Sequence, residues 1–186
     1  MPQPLDLAGH GMLAFTRASL STLRAALMRD GGPDAAVYLQ EAGYAGGDAL
    51  WQAFRRWLST RSDISAEQMD VETFEARVSE FFRHAGWGSI TIGSLGDVVA
   101  TLDSEDWGEA DPASGMDHPC CHMTTGMFAD LFGRVAAAPV AVLEVECRST
   151  GASRCRFLVG NPQVMEQIYD EMGNGHSYAD AVHANG

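Results

Sequence analysis

The sequence contains no lysine, so all twelve of the basic side chains among its 186 residues are arginines. They stand against 25 acidic residues, which gives a formal net charge of −13. An acidic chain of this kind has no general electrostatic attraction to nucleic-acid phosphates or to anionic lipid surfaces. The composition therefore argues against a protein that binds nucleic acid or a membrane surface directly.

Long apolar runs are missing as well. No stretch approaches the roughly 18 to 20 apolar residues that a membrane-spanning helix needs. Residues 1–6 lack the positive start and the apolar run of a secretory signal. We therefore expect a cytoplasmic protein, in which cysteines more often serve metal binding, chemistry or burial than disulfides.

The motifs of several enzyme classes are also absent. The sequence has no G-x-S-x-G segment, no glycine-rich phosphate loop and no dinucleotide-binding fingerprint. A reductase would need a site for a hydride carrier, and no such site is recognisable. These absences favour a binding protein over an enzyme.

The first 85 residues have the apolar spacing of helices. Three helices are predicted, over residues 13–28, 34–58 and 65–84. Gly43, Gly46 and Gly47 interrupt the second one, which indicates a bend or close packing against another element. Ser65 is the predicted N-cap of the third.

Short β-branched segments follow the helical part. They predict four strands, at 89–93, 97–102, 140–147 and 154–159. Between the two strand pairs we expect a loop over 103–117 and a helix over 119–134, and two further helices close the chain. This order predicts one α+β domain over 1–186, with a helical part (1–85), a sheet part (86–160) and C-terminal helices (161–186).

Three cysteines and one glutamate have a spacing that suits a metal site. Glu144 and Cys147 lie three residues apart near the end of a predicted strand, and Cys155 follows across a glycine-containing turn. Cys121 lies at the start of a predicted helix, where the helix N-terminus lowers a thiol pKa. Three thiolates and one carboxylate would form a closed tetrahedral set suited to structural Zn²⁺.

The same cysteines also suit roles other than this metal site. Cysteine is among the most often buried residue types, so burial alone would account for them. A disulfide between the last two is compatible with the turn, although a reducing compartment disfavours it. His118 and His122 flank the adjacent pair Cys120 and Cys121 and are alternative ligands. Spacing alone does not separate these alternatives.

Two segments carry a family resemblance. The first is 121–126, a Cys with a Gly five residues later, and the second is 144–157, which contains E-x-x-C, a glycine in the turn and C-R-F. Together they resemble the 4-vinyl reductase domain. This domain occurs in phenol- and xylene-sensing bacterial activators, in stand-alone hydrocarbon-binding proteins and in a protein of bacteriochlorophyll synthesis. Segments 41–47, 161–164 and 178–181 are also similar to family members.

The resemblance implies a fold and a metal. The fold would be α+β, with helices on a four-stranded antiparallel sheet and an enclosed apolar cavity, as in a small subunit of the TRAPP vesicle-tethering complex. The implied zinc ligands are Cys121, Glu144, Cys147 and Cys155, whereas Cys120 does not fit that register. A homodimer is a further expectation from the family.

Aromatic side chains near the change from helix to sheet are the candidate pocket residues. A small apolar ligand needs a mostly apolar pocket with one or two orienting polar groups. Trp107 and His84 could each donate a hydrogen bond to a phenol-like oxygen, although the same aromatics would also suit an ordinary core. The candidate residues are Tyr44, Phe81, Phe82, His84, Trp87, Trp107, Phe128 and Phe132.

The favoured hypothesis is a zinc-stabilised module that binds or senses a small apolar or aromatic molecule. The sequence shows no ATPase or DNA-binding domain, so the output would pass through another protein. One alternative is a tetrapyrrole-binding accessory factor of bacteriochlorophyll synthesis. Another is a TRAPP-like scaffold subunit whose pocket is permanently filled.

Overall fold

Helices form the first part of the chain and an antiparallel sheet follows, as the sequence pattern predicts. The computed structural model describes residues 6–7, 9 and 11–185. Its helices are α1 (Arg17–Asp30), α2 (Ala35–Ala45), α3 (Gly47–Ser59), α4 (Val71–His84), α5 (His122–Ala136), α6 (Pro162–Gly173) and α7 (Tyr178–Ala184). Its strands are β1 (Thr91–Leu95), β2 (Val99–Ser104), β3 (Ala141–Glu146) and β4 (Cys155–Gly160).

The long helix predicted over 34–58 is two helices. Gly46 alone separates α2 from α3 and keeps right-handed helical backbone angles, so the chain bends there as expected. The expectation of close packing is also confirmed, because a side chain at Gly43 would collide with the backbone of Met123 on α5. Gly126 of α5 makes the reciprocal approach to the backbone of Gln40 on α2. Two helices can therefore touch backbone to backbone beside the candidate site.

The predicted start of the third helix is wrong. Ser65 precedes only a short 3₁₀ turn, and α4 begins after Asp70. The Asp70 carboxylate accepts a hydrogen bond from the backbone N–H of Thr73 at 2.7 Å, which satisfies a donor of the first helical turn. Asp70 is thus the N-cap in place of Ser65.

The four strands form one antiparallel sheet in the order β1-β2-β4-β3. Alternating side chains serve its two faces, as the pleat of a strand requires. Leu102 and Phe157 point into the larger core beneath α3, α4 and α5. Val99 and Leu158 point to the other face, where α6 and α7 cover them. The predicted combination of helices with a four-stranded antiparallel sheet is confirmed, with helices on both faces.

No helix in the described part of the chain is long and apolar enough to cross a bilayer.

Candidate metal centre and its surroundings

The four residues predicted as zinc ligands come together in space. Donor atoms of Cys121, Glu144, Cys147 and Cys155 all lie within 4.8 Å of one another, and all four residues are buried. They belong to three separate elements. Cys121 is the N-cap of α5, Glu144 lies on β3, Cys147 directly follows the end of β3, and Cys155 begins β4.

The turn between β3 and β4 brings the last two cysteines to the same place. The Cys147 carbonyl accepts backbone hydrogen bonds from Thr150 at 3.0 Å and from Ala152 at 3.3 Å. Gly151 reverses the chain with a left-handed φ of 90°, a conformation that glycine adopts without steric cost. The glycine-containing turn expected from the sequence thus places Cys155 beside Cys147.

The Glu144 carboxylate has one partnered and one unpartnered oxygen. Oε2 accepts a hydrogen bond from the backbone N–H of Cys121 at 2.7 Å. Oε1 is buried and makes no hydrogen bond. Burial, together with the neighbouring Cys147, raises the pKa of Glu144 to about 8. A buried oxygen without a donor normally costs free energy, so its position among three thiols fits a bound cation.

The thiols are close enough to share protons. The sulfur atoms of Cys121 and Cys147 lie 3.7 Å apart. Hydrogen bonds from the thiols of Cys120, Cys121 and Cys155 lower the pKa of Cys147. Soft thiolates with one carboxylate are the donors that structural Zn²⁺ takes, and complete burial leaves no open position for a substrate. The residues present therefore fit a structural ion.

The alternative ligands are not members of the converging group found among the described residues. The Cys120 thiol lies beside that group, since it hydrogen-bonds to Cys147, and its sulfur also faces the guanidinium of Arg24, whose Nη2 is 3.2 Å away. His118 is exposed, and neither it nor the half-buried His122 belongs to the group of converging donor atoms among the described residues. Burial lowers the pKa of His122, which keeps its ring neutral. Cys147 and Cys155 are free thiols in the structure, without a disulfide between them.

A second buried polar cluster lies next to the first, and sequence reasoning missed it. The Glu109 carboxylate accepts backbone hydrogen bonds from Met123 at 3.1 Å and Thr124 at 2.7 Å, so it caps the first turn of α5. Arg24 of α1 pairs with it, with Nε 3.2 Å from Oε1. Burial raises the pKa of Glu109, and the charge of Arg24 opposes that shift. An arginine within an apolar helix was the only signal in the sequence.

Six of the eight predicted pocket residues form one aromatic cluster. Phe82, Trp107 and Phe128 are fully buried, with ring centroids 5.1 to 5.6 Å apart. The half-buried Trp87 stacks on Trp107 at 5.7 Å, and Phe132 contacts Phe128 at 5.5 Å. Phe81 joins through Phe82 at 5.6 Å. Such tilted and edge-on contacts are favourable in a packed interior.

The indole N–H of Trp107 already has a partner. It donates to the Thr124 hydroxyl at 2.7 Å, and that hydroxyl donates in turn to Glu109 at 2.5 Å. A phenol-like oxygen would have to replace Thr124 to take this hydrogen bond. The aromatic cluster and the Glu109 network are therefore continuous.

Tyr44 and His84 do not belong to this cluster, although the ring of His84 reaches its edge through Trp57, which contacts Phe81. Tyr44 is 56% exposed and lines a surface groove of about 320 Å³ between α2 and α5, because α2 packs on α5 through Gly43. His84 is exposed near the end of α4, with Nδ1 2.8 Å from the Glu80 carbonyl oxygen. Phe132 lines a separate, largely apolar groove of about 510 Å³ at the C-terminal end of α5.

Comparison with protein families matches residues 105–161 to the 4-vinyl reductase domain. The matched segment contains all four converging residues, and it confirms the family resemblance for this part of the chain. None of the curated proteins compared with the chain is a match.

Solved structures share the fold. The phenol-responsive sensory domain of the transcription activator PoxR, solved with phenol, matches with a TM-score of 0.58 and 18% identity, covering 80% of this chain and 76% of that one. A trafficking protein particle complex subunit 3 from Naegleria fowleri, covalently bound to palmitic acid, matches with a TM-score of 0.57 and 13% identity, covering 77% of this chain and 91% of that one. A vinyl-4-reductase family protein from Methanocaldococcus jannaschii matches with a TM-score of 0.46 and 16% identity, covering 63% of this chain and 66% of that one.

Proposed function

We propose that the protein is a zinc-stabilised module that binds or senses a small apolar or aromatic molecule. One observation carries this proposal: the first helix of the family-matched segment, α5, begins at the candidate metal ligand Cys121 and bears Phe128 and Phe132 of the aromatic cluster. A metal that fixes the start of α5 would also fix the wall of a binding site. The fold shared with a phenol-responsive sensory domain supports the same function.

The metal component rests on the donor set. Cys121, Cys147 and Cys155 would supply thiolates, and Glu144 would supply the carboxylate oxygen that otherwise has no hydrogen-bond partner. Bound zinc would neutralise these charges and tie α5 to β3 and β4. The role proposed for the ion is structural.

The ligand component rests on the aromatic cluster. Flat rings in edge-on contact offer faces and edges to another aromatic ring, and Phe132 connects them to the apolar groove at the end of α5. The Trp107 indole N–H would supply the orienting polar group, and a ligand oxygen would take over the hydrogen bond that now goes to the Thr124 hydroxyl. An apolar or singly hydroxylated aromatic molecule suits such a lining.

Thermal unfolding with and without phenol, and with and without toluene, tests the ligand component. A ligand that binds only the folded state raises the unfolding midpoint as its concentration rises. We expect a rise with at least one probe, and we expect Phe128→Ala to abolish it. The exposed Val71→Ala serves as the matched control and should retain the response. A midpoint unchanged by both probes at millimolar concentration would contradict the proposal.

Self-association is a further part of the proposal. Leu23 of α1 and Val37 and Tyr38 of α2 are each about half exposed on helices that are neighbours in the chain, and exposed apolar side chains of this kind suit a contact surface. Residues 7–29 contain no acidic residue in a chain of net charge −13, so two copies can bring this face together without repulsion between carboxylates.

The oligomeric state tests this part. Sedimentation should find a dimer that Leu23→Glu converts to a monomer. Tyr169→Glu, at a 63% exposed apolar residue of α6, should leave the dimer intact. A monomeric parent protein, or equal effects of the two substitutions, would count against the α1–α2 face. Any downstream protein would then contact a dimer.

A scaffold subunit with a permanently filled pocket is the second candidate, because the fold is shared with a trafficking complex subunit that carries covalent palmitate. Native mass spectrometry separates the two candidates: a constant acyl adduct on the purified chain would favour the scaffold. The buried position of Cys120 against Arg24 disfavours such an adduct on that thiol. An absorbance titration with a chlorophyllide-type pigment tests the tetrapyrrole-binding alternative. If the spectrum does not change, that alternative is excluded.

A further inference from the structure

Helix α1 buries a charged side chain and exposes an apolar one. The structure describes all fourteen of its residues, and its one buried side chain is Arg24. Leu23, next to it in sequence, is 57% exposed. Helices of globular proteins normally face the core with an apolar stripe. The docking of α1 on the rest of the chain thus centres on a charged group.

Arg24 binds the loop that precedes the candidate metal ligand Cys121. Its guanidinium donates to the carbonyl oxygens of Glu109 and of Cys120, the latter at 2.6 Å. Nη2 also lies 3.2 Å from the Cys120 sulfur, and Nε lies 3.2 Å from Glu109 Oε1. One side chain therefore contacts both ends of the 109–120 loop.

The same loop positions the start of α5. Glu109 accepts hydrogen bonds from the backbone of Met123 and Thr124, and Cys121 between the loop and the helix joins the Glu144 carboxylate. Any change in the position of Cys121 must therefore move Cys120, whose carbonyl Arg24 holds.

The other polar contacts of α1 are few and weaker. Ser21 donates to the Asp111 carboxylate at 2.8 Å in the same loop, and Arg17 donates to the Gly86 carbonyl at 3.1 Å on the surface. The Arg17 contact is exposed and the Ser21 contact is only part-buried, so water can replace either partner when the contact breaks. The buried Arg24–Glu109 pair is the main polar attachment of α1, since an unpaired buried charge would be costly.

We propose that Arg24 couples the docking of α1 to occupancy of the metal centre. With the ion bound, Cys121 is fixed and the 109–120 loop presents both carbonyls to Arg24. With the ion absent, the loop loses this arrangement and α1 detaches, which exposes a basic, apolar helix to a partner. Arg24 is a positioning residue in this scheme, and the scheme rests on the metal component of the proposed function.

Coupling of this kind is reciprocal. If the ion favours the docked helix, the docked helix must retain the ion by the same factor, typically about 5- to 150-fold. Loss of Arg24 should therefore weaken the metal centre although its side chain does not belong to the converging donor atoms.

The experiment uses the full chain and zinc alone. Arg24→Met is compared with Arg29→Met, which removes the same charge from an exposed pair with Asp30 on the same helix. We expect Arg24→Met to lower the zinc affinity, measured by equilibrium competition with a chromogenic chelator, about tenfold. Arg29→Met should match the parent protein, and Arg24→Lys, which keeps the charge, should restore part of the retention.

A second arm needs no substitution. Hydrogen exchange of the parent chain is followed with zinc and after chelation, in α1 and in α6 as the internal control. Selective acceleration in α1 by about tenfold is expected. Equal acceleration in both helices would indicate global unfolding and would overturn the inference, as would no change in α1.

The outcomes separate the inference from the proposal beneath it. A chain that binds no zinc overturns both. A chain that binds zinc, and whose Arg24→Met and Arg29→Met variants hold it with equal affinity, overturns only the coupling. If Arg24→Met does not fold, Arg24→Lys and the exchange arm decide the question.

Discussion

Two buried polar clusters meet at the start of α5, and they differ in how their charges are satisfied. The Arg24–Glu109 cluster is an ion pair whose two opposite charges both belong to the chain, although Arg24 Nε makes no hydrogen bond. The Cys121–Glu144–Cys147–Cys155 cluster contains three thiols and a carboxylate but no cationic side chain, and Glu144 Oε1 makes no hydrogen bond. The first cluster is balanced in charge within the chain, whereas the second fits an added cation. The cluster that contains an arginine needs no added ion, whereas the cluster without a cationic side chain suits a metal ion.

The largest expected effect is at the metal cluster. Cys147→Ser removes a central thiolate and should abolish stoichiometric zinc binding, because structural zinc contributes folding free energy. The unfolding midpoint should fall by about 10 °C or more, since 1 kcal/mol corresponds to about 2–4 °C in a chain of this size. Calorimetry with metal analysis checks this. Retained zinc, or an equal loss in Cys120→Ser, would show that the ligand set is wrong.

The next largest effect is expected when each of the two buried glutamates is replaced by glutamine. Glu109→Gln leaves Arg24 without its counter-charge and should cost about 3–5 kcal/mol, with or without zinc. Glu144→Gln should destabilise only the zinc-loaded protein, because without the ion the substitution removes an unpaired buried carboxylate.

Denaturant unfolding in zinc and in chelator measures both effects. The control is Glu105→Gln, at an exposed residue of the same loop, with an effect below about 0.5 kcal/mol. If the two buried variants respond to zinc alike, the distinction between the clusters fails.

Acid should weaken zinc binding at the metal cluster. Zinc ligands must be deprotonated, so protons compete with the ion and zinc affinity falls as the pH falls. The zinc-loaded chain should lose its ion, and the stability that depends on it, as the pH is lowered from 7. Zinc retention measured against pH, in parallel with unfolding, checks this. Affinity that rises on acidification would contradict a thiolate site.

The smallest expected effects concern the predicted pocket residues. Trp107→Phe loses the hydrogen bond to Thr124 and should cost about 1–2 kcal/mol, since the Thr124 hydroxyl still reaches Glu109. His84→Ala, at an exposed side chain, should change stability by less than about 0.5 kcal/mol. Urea unfolding compares them, and an equal cost would place His84 in the same packed cluster.

The predictability of the site follows from how its residues are spaced. Glu144, Cys147 and Cys155 belong to one hairpin, so a strand pattern and a turn suffice to bring them together. Arg24 and Glu109 are 85 positions apart in sequence, and no local pattern indicates that they pair. Long-range pairing of single charges depends on tertiary packing, which composition and periodicity do not specify.

The same limit applies to the helices and the pocket. Periodicity predicted the helical part, but it did not place the helix start at Asp70 or separate α2 from α3, because those boundaries depend on capping and on close contact with α5. Residue type indicated Trp107 as a hydrogen-bond donor. Its partner, Thr124, emerges only when the loop and α5 are packed together.

The metal content of the purified chain tests the central claim most directly. Elemental analysis combined with thermal unfolding should find about one zinc per chain, and chelation should lower the unfolding midpoint, as a closed structural site requires. A chain that carries no metal, takes up no added zinc and unfolds at the same temperature with and without chelator would contradict the account.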